Sequence, residues 1–298
     1  KQKNGEWVVK APKFSYTRAD SVDHALELLD KHGEDARILA GGQSLMPTLN
    51  MRLSQPEILI DINRLDDLKG IRMDGDTVCI GALTRHVEVM NSDIVVDHLP
   101  LIAEAMPHVA HVAVRNRGTI GGSVALADPA AEMPACILAL GATLVVQSSS
   151  GKREIPAEEF FHGLYETARA ENELLVELRI PSQKKENVSV FLELARRHGD
   201  FAIVGIAAYG KVLGDTIEDM RLVYFASEDK PTIGENAIAA LNGNSWSEDT
   251  KEAVTAALEN DLEPMANLHG SSAMKLHLQK VLTGRAMDAA VARAGDAA

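Results

Sequence analysis

The run Arg115-Asn116-Arg117-Gly118-Thr119-Ile120-Gly121-Gly122-Ser123 has a counterpart upstream in Ile38-Leu39-Ala40-Gly41-Gly42-Gln43-Ser44-Leu45-Met46-Pro47, where a short strand over 37–40 breaks into consecutive glycines. Glycines in succession remove Cβ atoms, permit positive φ and let backbone N–H groups approach a ligand closely. Successive N–H groups in such turns form concave anion sites, and Ser44, Thr119 and Ser123 add hydroxyl donors. Two such loops in one domain can hold a pyrophosphate from two sides. A Gly-Gly pair is also an ordinary tight turn, and spacing alone favours the turn. Neither run is a P-loop, since no Lys-Ser/Thr follows the glycines, and neither matches G-x-G-x-x-G. ATP hydrolysis and Rossmann-type NAD binding are therefore poor readings.

Outward from these loops, the spacing of Val22, Ala25, Leu26 and Leu29 predicts a helix over 21–33, with Ser21 or Asp20 as N-cap and Gly33 as stop. Strands are predicted over 58–62 and 78–83, with a turn at Asp74-Gly75-Asp76 before the second. Helices over 100–110 and 132–140 precede strands over 142–147 and 174–180, the last closed by Pro181. The polar stretch Ser182 to Asn187 is the best boundary. Beyond it come a strand over 190–195, an apolar run over 201–212 and a strand over 221–225. Helices follow near 234–241, 248–259 and 272–282. The mixture reads as α+β, preceded by a polar arm to about Ala11.

At 298 residues the chain suggests about two domains. Its net charge of −13 argues against non-specific nucleic-acid binding, which depends on clustered Lys and Arg. No apolar run is long enough for a membrane span, and no signal peptide is visible at the displayed start. The cysteines are two, Cys79 and Cys136, each in an apolar stretch. An iron–sulfur cluster typically takes about four thiolates, so this chain cannot hold a Cys-ligated cluster alone. His108 and His111 share a helical face at i,i+3, but no third ligand is evident and packing is the favoured reading. Arg115 and Arg117 suit a cofactor phosphate, a partner subunit or a surface ion pair.

The first glycine run, with Arg52-Leu53 and Ile60-Asp61-Ile62 after it, resembles the first FAD signature of the molybdenum hydroxylase flavoprotein subunits. These are the medium subunits of carbon monoxide dehydrogenase, the xanthine dehydrogenase group and bacterial N-heterocycle hydroxylases. The run from Arg115 to Ser123, continued by Ala127-Asp128-Pro129-Ala130-Ala131-Glu132-Met133-Pro134-Ala135, resembles the second signature. Arg196-Arg197-His198-Gly199-Asp200-Phe201-Ala202-Ile203-Val204 resembles the opening of the family's C-terminal domain. The resemblance implies a two-subdomain FAD-binding domain of the PCMH or vanillyl-alcohol-oxidase type over 12–183, with subdomains of about 12–62 and 63–183. A smaller α+β domain over 188–290 would follow.

Carried across by motif, Ala40, Gly41, Gly42, Gln43, Ser44 and Leu45, with Thr119, Ile120, Gly121, Gly122 and Ser123, would surround the FAD. Glu132 stands where the family has an acidic residue, usually Asp, near the ribityl or ribose hydroxyls. Leu175 is implied as an apolar neighbour, and Phe201 stands where relatives carry an aromatic residue against the isoalloxazine ring. Where the family usually has Gly after the strand over 221–225, this chain has Ala226-Ser227. The implied role is a cytoplasmic electron-transfer subunit without catalytic residues of its own. An iron–sulfur small subunit with 2Fe-2S clusters would deliver electrons from a large subunit carrying a molybdopterin-type molybdenum cofactor. FAD would pass them to an external acceptor, the three chains forming a heterotrimer or a dimer of heterotrimers. A self-sufficient FAD-dependent oxidoreductase of the same fold is the alternative; a cofactor-free interaction subunit is the third reading.

Overall fold

The computed structural model describes residues 2–3, 6–7 and 11–297. The expected arm lies mostly outside the described residues; within it, Gln2–Lys3 pairs antiparallel with Glu6–Trp7. From Ala11 on, the chain opens with β1 (Ser15–Arg18), α1 (Val22–His32), β2 (Ala36–Leu39), α2 (Leu45–Asn50) and β3 (Ile58–Asp61). Ser21 caps α1 by accepting from the His24 N–H at 3.0 Å. Gly33 ends the helix at φ +50°, and Ala25, Leu26 and Leu29 face the core.

The three strands form a parallel sheet in the order β1-β3-β2. Central β3 is buried along its whole length, as a middle parallel strand should be. Its register places Leu39 opposite Asp61, so the first glycine segment leaves the sheet beside Asp61 and Asn63.

A second, antiparallel sheet contains β4 (Ile71–Asp74), β5 (Thr77–Gly81), β6 (Thr143–Ser148), β7 (Gly151–Pro156) and β8 (Leu174–Pro181), ordered β4-β5-β8-β6-β7. Helices α3 (His86–Met90), α4 (Pro100–Ala105), α5 (Ile120–Leu126) and α6 (Glu132–Ala139) lie between β5 and β6 in the chain. Alternation splits the sheet's side chains between two cores. Leu144, Val146, Leu175 and Leu178 pack toward the helices, while Val145, Leu174 and Val176 pack against α1 and the parallel sheet.

The last part is an antiparallel meander, β9 (Asn187–Leu194), β10 (Val204–Leu213), β11 (Thr216–Phe225) and β12 (Thr232–Ile233), followed by α7 (Glu235–Leu241), α8 (Glu248–Asp261) and α9 (Ser272–Ala297). The last four residues of β11 are also buried on both faces. Leu222 and Tyr224 join the core under α7–α9, and Val223 and Phe225 join the core around α6. After β11, Ala226 occupies the left-handed region at φ +65°, and its N–H donates to the Pro129 carbonyl at 2.8 Å. This backbone explains why glycine suits the position.

Two differences from the sequence reading have clear causes. Helix α9 does not stop near Leu282 but continues with Ala286, Met287 and Ala290 on its buried face. Strand β7 was not foreseen because its residues are almost all exposed and polar, a partly covered edge paired only with β6.

Candidate functional site

The first glycine segment runs from the end of β2 into α2. Gly42 has φ +71°, the left-handed turn that lets the chain double back into the helix. Gly41 has no such requirement. A Cβ there would lie 2.5 Å from the Arg117 carbonyl oxygen and 2.7 Å from the Gly118 Cα, so its role is close approach to the second segment. Among the described residues no protein acceptor takes the N–H groups of Gly41, Gly42, Gln43, Ser44 or Leu45. Gly41, Gly42 and Gln43 border a cleft of about 420 Å³, lined with them by Leu39, Ala40, Met46, Pro47, Tyr16, Asp61, Asn63 and Arg117; Ser44 and Leu45 stand outside its lining.

The second segment is different from the loop that the sequence suggests. Gly121 and Gly122 lie in the first turn of α5, not in a positive-φ turn. Thr119 is the N-cap, and its side-chain oxygen accepts from the Gly122 N–H at 3.1 Å. Ile120 donates to the Thr84 carbonyl and Gly121 to the Ala82 carbonyl, each at 3.0 Å. Ser123 donates to the Thr119 carbonyl at 3.1 Å. A Cβ on Gly121 would sit 2.4 Å from the Ala82 Cβ, so this glycine serves helix-to-strand packing. What the segment offers outward is exposed Gly122, the half-buried Ser123 hydroxyl and the exposed Arg117 side chain.

Among the described residues the Arg117 guanidinium has no ion pair, whereas Arg115 is buried. Arg115 donates to the Val109 and Ala110 carbonyls at 2.8 and 2.9 Å and is thus structural. Tyr16 was not singled out from sequence, and Asp61 stood there only as part of the first signature, with no role of its own. Tyr16 donates to the Asp61 carboxylate, which also accepts from the Asn63 N–H at 2.9 Å. Burial pushes the Asp61 carboxyl up, but hydrogen bonds from Tyr16 and Asn63 outweigh it and leave it below its ordinary range.

Of the expected residues, Ala40, Gly41, Gly42 and Gln43 line this cleft, whereas Ser44, Leu45, Thr119 to Ser123, Glu132, Leu175 and Phe201 do not. Glu132 is the first residue of α6 and 7% exposed, and burial raises its pKa to about 7, with Glu193 and Asp128 adding to the shift. Near it, His108 Nδ1 lies 3.1 Å from Glu193 Oε1, a hydrogen bond that raises the imidazole pKa. The ring of His108 meets His198 edge-on at 5.8 Å. Gly199 is pressed so closely on His111 that a Cβ would fall 2.6 Å from the ring nitrogen. The histidine pair therefore packs the 198–201 segment against the FAD-signature half rather than forming a metal site. Phe201, at the end of that segment, is 65% exposed and free to cover a flat ligand. Leu175, at 4% exposure, is part of the central core.

Toward the cleft, the N–H groups of Gly41, Gly42 and Gln43 with the Arg117 guanidinium fit a doubly charged diphosphate. The comparisons with known proteins agree. Residues 12–183 match the FAD binding domain in molybdopterin dehydrogenase, and residues 189–290 match the CO dehydrogenase flavoprotein C-terminal domain. The chain is 39% identical over 293 residues to the 6-hydroxypseudooxynicotine dehydrogenase complex subunit alpha of Paenarthrobacter nicotinovorans, covering 96% of this chain and 97% of that one. It is 39% identical over 285 residues to the carbon monoxide dehydrogenase medium chain of Hydrogenophaga pseudoflava, covering 95% and 98%.

A solved carbon monoxide dehydrogenase from H. pseudoflava, in a form lacking the Mo-pyranopterin moiety of the molybdenum cofactor, superposes with a TM-score of 0.93, covering 95% of this chain and 99% of that one. The α+β architecture, a PCMH-type FAD-binding domain followed by a smaller flavoprotein C-terminal domain, is thus that of these subunits. The chain belongs to the family of FAD-binding medium subunits of molybdenum-containing dehydrogenases, the flavin-carrying electron-transfer members of oxidoreductase complexes that also hold iron–sulfur and molybdenum centres.

Proposed function

We propose that the chain holds FAD between residues 12–62 and 63–183, with the domain over 188–290 closing over the ring end. In this reading it works in a heterotrimer, or a dimer of heterotrimers, with an iron–sulfur small subunit and a molybdenum-cofactor large subunit in the cytoplasm. The observation that carries it is the row of N–H groups from Gly41 to Leu45 without a protein acceptor among the described residues, of which Gly41, Gly42 and Gln43 line the cleft beside Arg117. When bound, FAD supplies the redox chemistry that links the iron–sulfur chain to an external acceptor.

The protein's own tasks are binding and placement. Gly41 to Leu45 donate to the diphosphate, with Ala40 beside them and Arg117 as counter-charge. The Ser123 hydroxyl and the Thr119–Gly122 turn form the opposing wall. Glu132, with a pKa raised by burial to about 7, keeps a protonated fraction near neutral pH that can donate to a ribityl or ribose oxygen. The exposed ring of Phe201 shields the isoalloxazine from water, and buried Leu175 supports the wall behind it.

No side chain here needs to act as general acid or base on the complex's substrate. Two relatives equally similar to this chain serve a carbon monoxide dehydrogenase and a 6-hydroxypseudooxynicotine dehydrogenase, which supports placing substrate choice in another subunit. The test is to purify the chain alone and with its co-expressed partners and to compare absorption spectra. FAD retained by the chain, with iron–sulfur and molybdenum in the complex, is the expected result. A chain that never takes up FAD overturns the proposal, and substrate-dependent flavin bleaching by the chain alone would favour a self-sufficient flavoenzyme.

A further inference from the structure

The two glycine segments belong to different sheets, and a polar crossing joins them. On the first side stands Asn63, just past β3. Its amide donates to the Ala40 carbonyl at 2.7 Å and to Asp61 Oδ1 at 2.7 Å, fixing the exit of β2. On the second side stands Arg85, just before α3. Its backbone forms a bridge with Thr119, flanked by the His86 N–H donating to the Gly118 carbonyl and the Ile120 N–H donating to the Thr84 carbonyl, each at 3.0 Å.

The Arg85 side chain then reaches across. Nη2 donates to Asn63 Oδ1 at 2.6 Å, and Nη1 donates to the Arg117 carbonyl. That carbonyl oxygen is the same atom a Cβ on Gly41 would strike at 2.5 Å. Main chain from one segment and side chain to the other thus meet at Arg85, where the segments are closest.

The charge arrangement points the same way. Among the described residues Arg85 has no carboxylate within ion-pair distance; its donors are spent on a carbonyl and an amide oxygen. Its pKa is lowered by burial and by the neighbouring Arg117. Two guanidinium groups held side by side repel one another, and an anion bound between the segments relieves the repulsion.

We propose that Arg85 and Asn63 form a latch that sets the separation of the two glycine segments and so positions both for the diphosphate of the bound dinucleotide. They are positioning residues, and the proposal rests on the FAD reading above. Neither the glycine signatures nor the family match assigns them a role. Arginine is required because the contact is bidentate to two acceptors in fixed directions, which a lysine ammonium cannot reproduce.

The experiment is titration of the full-length chain with FAD for the wild type, Arg85→Ala, Asn63→Ala, the double variant and Arg85→Lys, with apo-chain unfolding followed in parallel. Each alanine variant should weaken FAD binding by about tenfold, as expected for losing a hydrogen bond made by a charged donor. The double variant should be no more than about twofold weaker than the weaker-binding single, because the two residues act as one unit. Arg85→Lys should fold as the wild type does and still lose affinity by about threefold or more, because it keeps the charge and loses the second bond.

Alanine variants that bind FAD within twofold of wild type, or whose losses multiply in the double variant, overturn the latch. If Arg85→Ala does not fold, Arg85→Lys decides: wild-type affinity in that variant overturns it. A wild-type chain that takes up no FAD contradicts the flavin reading itself, which separates that failure from this one.

Discussion

The two glycine segments look alike in sequence and do opposite things with their backbones. The first leaves its N–H groups without a protein acceptor among the described residues, with Gly41 to Gln43 bordering a cleft, and it uses one left-handed glycine to do so. The second spends its N–H groups on the carbonyls of Ala82, Thr84 and Thr119, and its Gly121 is a packing residue. A glycine pair is thus a statement about space, and only the hydrogen-bond ledger of each segment says whether that space serves a ligand or a neighbour. In the proposed reading the first segment is the binding element and the second is the wall that holds it in place.

The largest effect should come from breaking the wall. Gly121→Val drives a side chain into Ala82 and should destabilise the apo chain by about 3 kcal/mol, the upper range for overpacking. Thermal unfolding of apo protein measures it, and an unchanged midpoint would dissolve the distinction between the segments.

A comparable effect is expected from pH. The Glu132 carboxyl titrates near 4.5 when unfolded and at about 7 when buried among Glu193, Asp128 and His108. Its folded pKa is raised, so the associated stability is fully present below pH 4.5 and is lost as pH rises through about 7. The loss amounts to about 3 kcal/mol for a shift of this size. His108, raised by Glu193, loses its contribution in the same direction. Urea unfolding of apo protein between pH 4.5 and 8 should show the fall, and Glu132→Gln should flatten most of it; an equally steep profile in that variant assigns the slope elsewhere.

Gly42→Val addresses the binding element. The left-handed φ adds about 1–2 kcal/mol of strain for an L side chain. The tilted N–H row should lower FAD affinity more than tenfold, with a smaller shift in the apo midpoint than Gly121→Val gives. Equal effects on folding and on binding in both variants would erase the contrast.

Much of the framework was legible because it rests on local chemistry. Ser21 and Gly33 bound α1, the Asp74-Gly75-Asp76 turn joins β4 to β5, and Pro181 closes β8. The end of α9 was not legible, since Gly284 within it resembles a stop but meets only the flexible Lys251 side chain. Helix α5 was hidden because glycine has low helix propensity, and its Thr119 cap and the Ala82 and Thr84 carbonyls offset that. In the site, the motif residues stood out, whereas Tyr16, Asn63 and Arg85 did not, and Asp61 stood in its motif without a role. Their roles arise from the Leu39–Asp61 register and from a contact between sheets, neither of which leaves a local pattern.

Smaller effects refine the picture. Arg117→Gln should weaken FAD binding by about fivefold, as for an exposed charge contact, and should reduce the salt dependence of that binding. An unaltered salt dependence would remove Arg117 as the counter-charge. Phe201→Ala should leave FAD retention within about twofold of wild type, because an exposed ring adds little to affinity, while changing the rate of flavin reoxidation. Stopped-flow reoxidation resolves this, and an unchanged rate makes Phe201 a bystander.

The most direct test of the account is a crystal structure of the full chain with FAD bound. The account predicts the diphosphate oxygens within hydrogen-bond distance of the N–H groups between Gly41 and Leu45, with Arg117 beside them and α5 as the facing wall. A diphosphate held chiefly by the N–H groups of Ile120 and Gly121, with the first segment turned away, would contradict it.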